Sequence, residues 1–122
     1  MWDWEKHLLA EQRSLKYLKA TVESIYDAVK ATEKEFCEAH PEFTPCLPDK
    51  IYFIHSEELL EQFPELNVKQ RETEVARIFG AVFIIGIGAK LSNGLPHDGR
   101  APDYDDWSSL ISADTYNEIT FL

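Results

Sequence analysis

The feature that most constrains the fold is one nearly all-apolar run, "AVFIIGIG", which extends from Ala81 to Gly88. The run is rich in β-branched and aromatic side chains, and it is too short to span a bilayer as a helix. An apolar run of this length without polar alternation predicts a strand that is buried on both faces. Such a strand needs an apolar layer on each side of its sheet, and amphipathic helices can supply both.

The N-terminal third of the chain predicts one such helix, from about Glu5 to Glu38. Its apolar positions recur at alternating steps of three and four, which places them on one stripe of a polar cylinder. The stripe comprises Leu15, Leu18, Val22, Ile25, Val29, Thr32 and Phe36. We interpret it as the face that packs on a sheet. A coiled-coil arm is the alternative, and the stripe is short for that role.

The middle of the chain alternates between helix breakers and regular elements. The stretch "HPEFTPCLPDK" at 40–50 contains three prolines and ends the first helix. The stretch "KIYFIHS" at 50–56 predicts a strand, and we expect Ser56 to cap the short helix that follows it. A further helix is predicted to begin after Asn67 with a capping box and to end at Gly80. We interpret the proline-rich stretch as a loop within one domain.

The overall charge restricts the partners of the chain. There are 22 acidic and 12 basic residues, and the net charge is −10. A field of this sign repels phosphate backbones, so we expect no nucleic-acid partner, although a single nucleotide site needs only a few local cations. No run is long enough to cross a membrane and no signal peptide is recognisable, so we expect a cytoplasmic protein without a membrane partner. In that compartment we expect Cys37 and Cys46 to stay reduced.

Glycines and charged residues follow the apolar run at once, in "GIGAKLSNGLPHDGRAPDYDDW" at 86–107. The glycines match neither the phosphate-loop nor the dinucleotide motif, but they let the strand bulge or another group approach closely. Arg100 is a planar donor suited to a carboxylate or phosphate. The aspartates, which suit an ammonium group or Mg²⁺, are Asp98, Asp103, Asp105 and Asp106. The segment predicts a site for a molecule with both charges. A solvated loop, with Arg100 paired to a neighbouring aspartate, is the alternative.

The histidines do not add a metal site to this picture. His97 alone is weak evidence for one, and no metal ligand is assigned. We interpret it as structural or solvent-facing, together with His7, His40 and His55. No Ser/His/Asp or Cys/His arrangement indicates a catalytic nucleophile.

Five segments of the chain together resemble the aspartate–ammonia ligase family, the ammonia-dependent asparagine synthetases. They are "WDWE" at 2–5, "LKATVESIYDAVKATE" at 18–33, "LPDKIYFIHSEELLEQFPEL" at 47–66, "GAVFIIGIGAKLSNG" at 80–94 and "HDGRAPDYDDW" at 97–107. The resemblance runs from Trp2 to about Ser108. The last two segments are the most specific, because they are long, ungapped and unusual in composition.

The resemblance implies an α+β fold, part of a mostly antiparallel sheet with flanking helices like that of class II aminoacyl-tRNA synthetases. It implies that L-aspartate, ATP and ammonia are the substrates and that Mg²⁺ is a cofactor. ATP activates the side-chain carboxylate of aspartate to β-aspartyl-AMP, and ammonia then displaces AMP to give L-asparagine. The full-length family member is expected to be a homodimer.

The resemblance also implies roles for three residues. Asp3 lies in "WDWE", whose alternation predicts a strand with Trp2 and Trp4 on one face and Asp3 on the other. Asp3 is expected to contact the amino-acid substrate. Arg100 is expected to bind the carboxylate of aspartate or the activated phosphate. Asp105 is expected to orient the α-amino group or the incoming ammonia. Arg100 and Asp105 are therefore the expected catalytic residues.

The departures from the family pattern shape the expected domain. Met1 stands where the family usually has glutamine, and the family segments before it and after Ser108, with further nucleotide-binding arginines, are not matched. We expect one partial catalytic domain over residues 1–122, family-like over 1–108 with a divergent tail at 109–122. We expect this chain alone to be inactive. The alternative is a non-catalytic fragment or paralogue that binds an amino acid or another chain.

Overall fold

The computed structural model of the chain describes residues 6–99. A short 3₁₀ turn, Ala10–Gln12, precedes the first long helix. The elements that follow are α1 (Leu15–Ala39), β1 (Tyr52–His55), α2 (Ser56–Gln62), α3 (Val68–Phe79) and β2 (Val82–Ile85). This order confirms the predicted succession of helix, strand, helix, helix and strand. The strand expected at "WDWE" lies outside the described residues.

The two strands pair side by side and run parallel. Tyr52 lies opposite Val82, and His55 lies opposite Ile85. The described residues therefore form an α+β arrangement of helices with a small parallel sheet. The antiparallel arrangement that the resemblance implies is not confirmed by this pair. The physical reason is the connection, because α2 and α3 carry the chain back to the starting end of the sheet, as a parallel pair requires.

Helix α1 covers one face of the sheet. The Ser14 hydroxyl caps its first turn by accepting a hydrogen bond from the Tyr17 amide at 3.1 Å. Leu18 and Val22 are buried in a cluster with Ile85. The predicted stripe is thus confirmed in the first half of the helix.

The second half of the stripe was predicted wrongly, because Val29 and Phe36 are exposed. The 25 residues of α1 span about 37 Å, whereas a four-residue strand spans about 13 Å. The helix therefore runs well past these two strands, and within residues 6–99 its far end has no strand to pack on. Tyr26 is the last buried residue of α1, and its hydroxyl donates a hydrogen bond to the Pro48 carbonyl at 2.5 Å.

Helices α2 and α3 cover the opposite face. Ile54, Leu59 and Val75 form the buried centre of this layer, with Val82 and Ile84 packed against it. Successive strand residues thus alternate between the two helical layers, as a pleated strand requires. The prediction that β2 is buried on both faces holds only for Ile85, since Val82, Phe83 and Ile84 are half-buried. Among residues 6–99, β2 has only β1 as a neighbouring strand.

The helix caps confirm two local predictions and correct one. Asn67 and Gln70 each accept a hydrogen bond from the other's amide at 3.0 Å, which is the expected capping box. Gly80 ends α3 with φ +79°, also as expected. Ser56, however, is the first residue of α2 rather than its cap. His55 is the cap, and its Nδ1 accepts a hydrogen bond from the Glu57 amide at 3.2 Å.

Two further predictions concern the redox state of the cysteines and the passage of the chain through a membrane. Cys37 and Cys46 are both free thiols. Between residues 6 and 99, no helix combines the length and the apolar character that a membrane crossing needs.

Candidate functional site

The three residues that the sequence predicts for the site, Asp3, Arg100 and Asp105, lie outside the described residues. What the structure describes is the scaffold that leads to them. Because β1 and β2 are parallel, their C-terminal ends lie at the same edge of the sheet. The chain leaves β2 at this edge and continues through residues 86–99, which we call the β2 exit loop. Loops at the C-terminal ends of parallel strands commonly form ligand sites.

Gly86 opens the β2 exit loop in a conformation that only glycine adopts easily. Its φ is +78°, and a Cβ at this position would lie 2.6 Å from His55 Nε2 and 3.2 Å from Ser56 Oγ. The buried Ser56 hydroxyl donates a hydrogen bond to the Gly86 carbonyl at 2.6 Å. A close approach is thus confirmed at Gly86, where the neighbours are side chains rather than backbone, and it joins the start of α2 to the end of β2.

The β2 exit loop folds back on itself. Lys90 and Pro96 form an antiparallel bridge, and the Leu91 amide donates to the Leu95 carbonyl at 3.0 Å. The Asp98 amide then donates to the Ile87 carbonyl at 3.2 Å. The loop thus returns to the end of β2, and the chain continues from there toward Arg100.

Glu57, in the first turn of α2, holds the middle of the loop. Its two carboxylate oxygens accept hydrogen bonds from the Ser92 amide at 3.0 and 3.3 Å. Hydrogen bonds from the side chain and the backbone of Ser92 lower the pKa of Glu57, and the nearby His55 acts in the same direction. The ionised form of Glu57 is therefore the form that the folded loop favours.

His97 holds the far end of the loop, and sequence reasoning gave it no role in the site. Its side chain is fully buried, and its Nε2 lies 3.3 Å from Glu72 Oε1 on α3. Its Nδ1 is buried without a hydrogen-bond partner among the described residues. The structural part of our interpretation is confirmed, and a solvent-facing position is wrong. No local pattern reveals this burial, since Glu72 lies 25 residues away along the chain.

A shallow groove of about 200 Å³ lies at the same edge of the sheet, on the α1 side. It is lined by apolar side chains together with Lys19, His55 and Glu58. The Lys19 ammonium lies 5.5 Å from the centre of the Phe53 ring, which also lines the groove. His55 and Glu58 are engaged in the cap of α2, because the Glu58 carboxylate accepts the His55 amide at 3.1 Å. The polar side chains that line the groove are thus largely engaged in contacts with other groups of the protein.

A family model described as aspartate–ammonia ligase matches residues 1–120 of the chain. The chain belongs to the aspartate–ammonia ligase family. The family that the sequence resembles is thereby confirmed. The boundary that we expect at Ser108, between a family-like section and a divergent tail, stays a prediction.

Two curated members of the aspartate–ammonia ligase family show how much of the family's length the chain represents. They are the aspartate–ammonia ligases of Bacteroides fragilis strains ATCC 25285 and YCH46. Each is 53% identical to the chain over 108 residues, which is 88% of the chain and 31% of the relative. The chain therefore spans about a third of the length of these ligases.

The described residues can be tested against the Mg²⁺ that the ligase family implies. Residues 6–99 contain no group of three or more His, Cys, Asp or Glu side chains placed to hold a metal ion. This part of the chain therefore supplies no such set of ligands for Mg²⁺ by itself.

Proposed function

We propose that the chain is a section of an aspartate–ammonia ligase that forms L-asparagine from L-aspartate, ATP and ammonia. The observation that carries the proposal is the 53% identity to two aspartate–ammonia ligases over 108 residues. The reaction proceeds in two steps. A carboxylate oxygen of aspartate attacks the α-phosphorus of ATP and releases pyrophosphate. Ammonia then attacks the acyl carbon of β-aspartyl-AMP, and AMP leaves. Mg²⁺ is the proposed cofactor, and the activity belongs to the full-length protein.

The proposed roles of the chain's residues are those that the resemblance to the ligase family implies, and the charges of the residues suit these roles. Arg100 binds the substrate carboxylate or the phosphate on which negative charge develops, since a fixed guanidinium stabilises such a transition state. Asp3 contacts the amino-acid substrate, and Asp105 orients its α-amino group or the incoming ammonia. The β2 exit loop serves this site as a support, because its bonds to α2 and α3 fix the segment that precedes Arg100.

The finer fold and assembly are also proposals. We expect the full-length ligase to extend the β1–β2 pair into a larger, mostly antiparallel sheet like that of class II aminoacyl-tRNA synthetases. This is supported by the helical layers on both faces of the pair, which leave only the sheet edges for further strands. We also propose a cytoplasmic homodimer without a nucleic-acid partner, which accords with the net charge of −10.

A segment exchange tests the proposed reaction. The section of the B. fragilis ligase that aligns with this chain over 108 residues is replaced by the chain's own sequence. Asparagine and pyrophosphate are measured with and without ATP and ammonia. We expect the chimera to form both products and the isolated chain to form only traces. An inactive but folded chimera, beside an active parent ligase, would overturn the proposal.

The role of Arg100 is tested in the same chimera. Arg100→Ala should lower turnover by about 10²–10³, the usual cost of removing one charge-stabilising donor. The matched control is Arg77→Ala, because Arg77 lies exposed on α3 and pairs only with Glu74 among the described residues, at 2.7 Å. Equal activities of the two variants would show that Arg100 lies outside the pocket.

The second candidate function is a non-catalytic module that binds an amino acid or another chain. It is favoured by the match of the chain to only 31% of the length of the B. fragilis ligases. Calorimetric titration of the isolated chain with L-aspartate and with ATP distinguishes this binding module from the section of a ligase proposed above. Saturable aspartate binding together with an inactive chimera would favour the binding module.

A further inference from the structure

We propose that His97, held by Glu72 of α3, is a positioning residue that fixes the approach of the chain to Arg100 in the aspartate pocket. The proposal rests on the proposed function and takes the first of the two roles given there to Arg100, in which it binds the carboxylate of aspartate. His97 itself is not a catalytic residue in this account. Its effect on the reaction passes through the backbone that links the two residues.

The burial of His97 makes it an anchor. Its side chain is fully buried, whereas Pro96, Asp98 and Gly99 around it are exposed. One side chain therefore ties an otherwise exposed stretch to the body of the protein. Removing it would leave the stretch attached, among the described residues, by the Lys90–Pro96 bridge and the Asp98–Ile87 backbone hydrogen bond.

The partner of His97 is rigidly placed. Glu72 lies on α3 three residues before the buried Val75, and only 34% of its side chain is exposed. One carboxylate oxygen faces His97 Nε2 at 3.3 Å, and the other faces Lys69 Nζ at 3.6 Å. The ring is thus fixed from a helix whose own position depends on the core.

The second ring nitrogen of His97, Nδ1, indicates a role in addition to the contact with Glu72. Nδ1 is buried and has no hydrogen-bond partner among residues 6–99. Buried polar nitrogens in folded proteins are nearly always paired. One ring nitrogen of His97 therefore contacts the scaffold, and we expect the other to bind a group outside the described residues. Such a pair of contacts is what a residue between the scaffold and the pocket would make.

The distance to Arg100 is short along the chain. Only Asp98 and Gly99 stand between the two residues, so three Cα–Cα steps of about 3.8 Å connect them. A displacement of the backbone at His97 is therefore expected to shift Arg100 as well. A misplacement of about 1 Å at a substrate-positioning group can cost about 10²-fold in rate.

The kinetic test uses the chimera with the B. fragilis ligase. His97→Ala should raise the KM for aspartate and lower kcat/KM for aspartate by about 10²-fold, while the KM for ATP changes little. Glu72→Ala should reproduce the pattern. His97→Gln should restore much of the activity, because its amide can still donate to Glu72. Glu74→Ala is the matched control, on the same helix and with the same 34% exposure, but paired with Arg77.

The two KM values separate positioning from folding. A variant that merely folds poorly loses kcat in proportion to its active fraction and keeps both KM values. That outcome for His97→Ala would overturn the proposal, and so would a KM for aspartate equal to that of Glu74→Ala. An inactive parent chimera would instead count against the proposed function.

A second measurement needs no activity. Hydrogen exchange of the Asp98 amide, followed by mass spectrometry of the isolated chain, reports the attachment of the loop. His97→Ala and Glu72→Ala should each speed this exchange by about tenfold relative to Glu74→Ala. Unchanged exchange in both variants would refute the anchoring role, whatever the chimera does.

Discussion

Gly86→Ala tests the close contact on which the β2 exit loop depends. Gly86 has φ +78°, and an added Cβ would lie 2.6 Å from His55 Nε2 and 2.8 Å from His55 Cε1. Real Cβ atoms do not approach other heavy atoms so closely, so the imidazole must move. That ring also caps α2, since its Nδ1 accepts the Glu57 amide at 3.2 Å. One methyl group therefore strains the backbone and disturbs a helix cap at once.

The expected cost of Gly86→Ala has two parts. A left-handed conformation costs an alanine about 1–2 kcal/mol relative to glycine. Loss of a helix cap costs about 0.5–2 kcal/mol. The free energy of unfolding should therefore fall by about 1.5–4 kcal/mol in total. The lower entropy of alanine in the unfolded chain offsets part of this loss.

Gly94→Ala is the control that isolates the steric part. Gly94 also has a positive φ, +83°, but its nearest outside atom is Lys90 Cε at 4.0 Å. The Gly94→Ala variant should lose only about 1–2 kcal/mol of unfolding free energy. The lower entropy of alanine in the unfolded chain affects both variants equally. Urea unfolding of the three proteins, followed by far-ultraviolet circular dichroism, gives the free energies. Equal losses in Gly86→Ala and Gly94→Ala would refute the contact between Gly86 and the His55 ring.

Three further predictions concern the core and two carboxylates. Leu59→Ala removes a fully buried side chain and should cost about 2–5 kcal/mol in urea unfolding, whereas Leu95→Ala, at an exposed position, should change stability by no more than about 0.5 kcal/mol. Glu33 accepts a hydrogen bond from the Cys46 thiol and raises the pKa of that thiol. Because the thiolate is the reactive form, Glu33→Gln should speed alkylation of Cys46 by iodoacetamide near pH 8, measured by peptide mass spectrometry. The lowered pKa of Glu57 means that its ionised form stabilises the fold above its unfolded-state pKa, and that this contribution is lost as pH falls through the lower folded-state value. Urea midpoints should therefore show that Glu57→Gln destabilises the protein near pH 7 and that its difference from the parent shrinks below about pH 4, whereas a constant difference would contradict the assignment.

Local signals in the sequence predicted the elements well. The start and end of α3 are examples, because Asn67 and Gln70 form their capping box within one turn and Gly80 ends the helix by its own backbone freedom. The cap of α2 shows the limit of such signals. Both His55 and Ser56 carry a side chain that can accept a helix amide. Ser56 is drawn instead to the Gly86 carbonyl, a partner 30 residues away.

Contacts between distant segments account for what the sequence did not predict. The direction of β2 relative to β1 depends on the end of the sheet to which α2 and α3 return the chain. The apolar run of β2 fits a parallel and an antiparallel pair equally well. The exposure of Phe36 depends on the length of the sheet beneath α1, which the stripe itself does not encode. For the same reason the sequence could not single out His97, whose anchoring role depends on its contact with Glu72 of α3.

The predicted pocket residues were found by a different kind of signal. Asp3, Arg100 and Asp105 came from the resemblance to the ligase family, since an aspartate-rich segment alone is equally compatible with a solvated loop. The family match supports the resemblance, and the roles of these three residues remain for the chimera to test.

Three side-chain attachments of the β2 exit loop that the described residues show come from the connection between β1 and β2. Ser56 and Glu57 hold it from α2, and Glu72 holds it from α3. The helices that make the strands parallel are therefore the same helices that support the approach to Arg100. Arg71 joins them, because its buried guanidinium donates from Nε to the Phe63 carbonyl at the end of α2, at 3.0 Å. A change in how α2 packs on α3 should consequently shift the loop even where both strands keep their register.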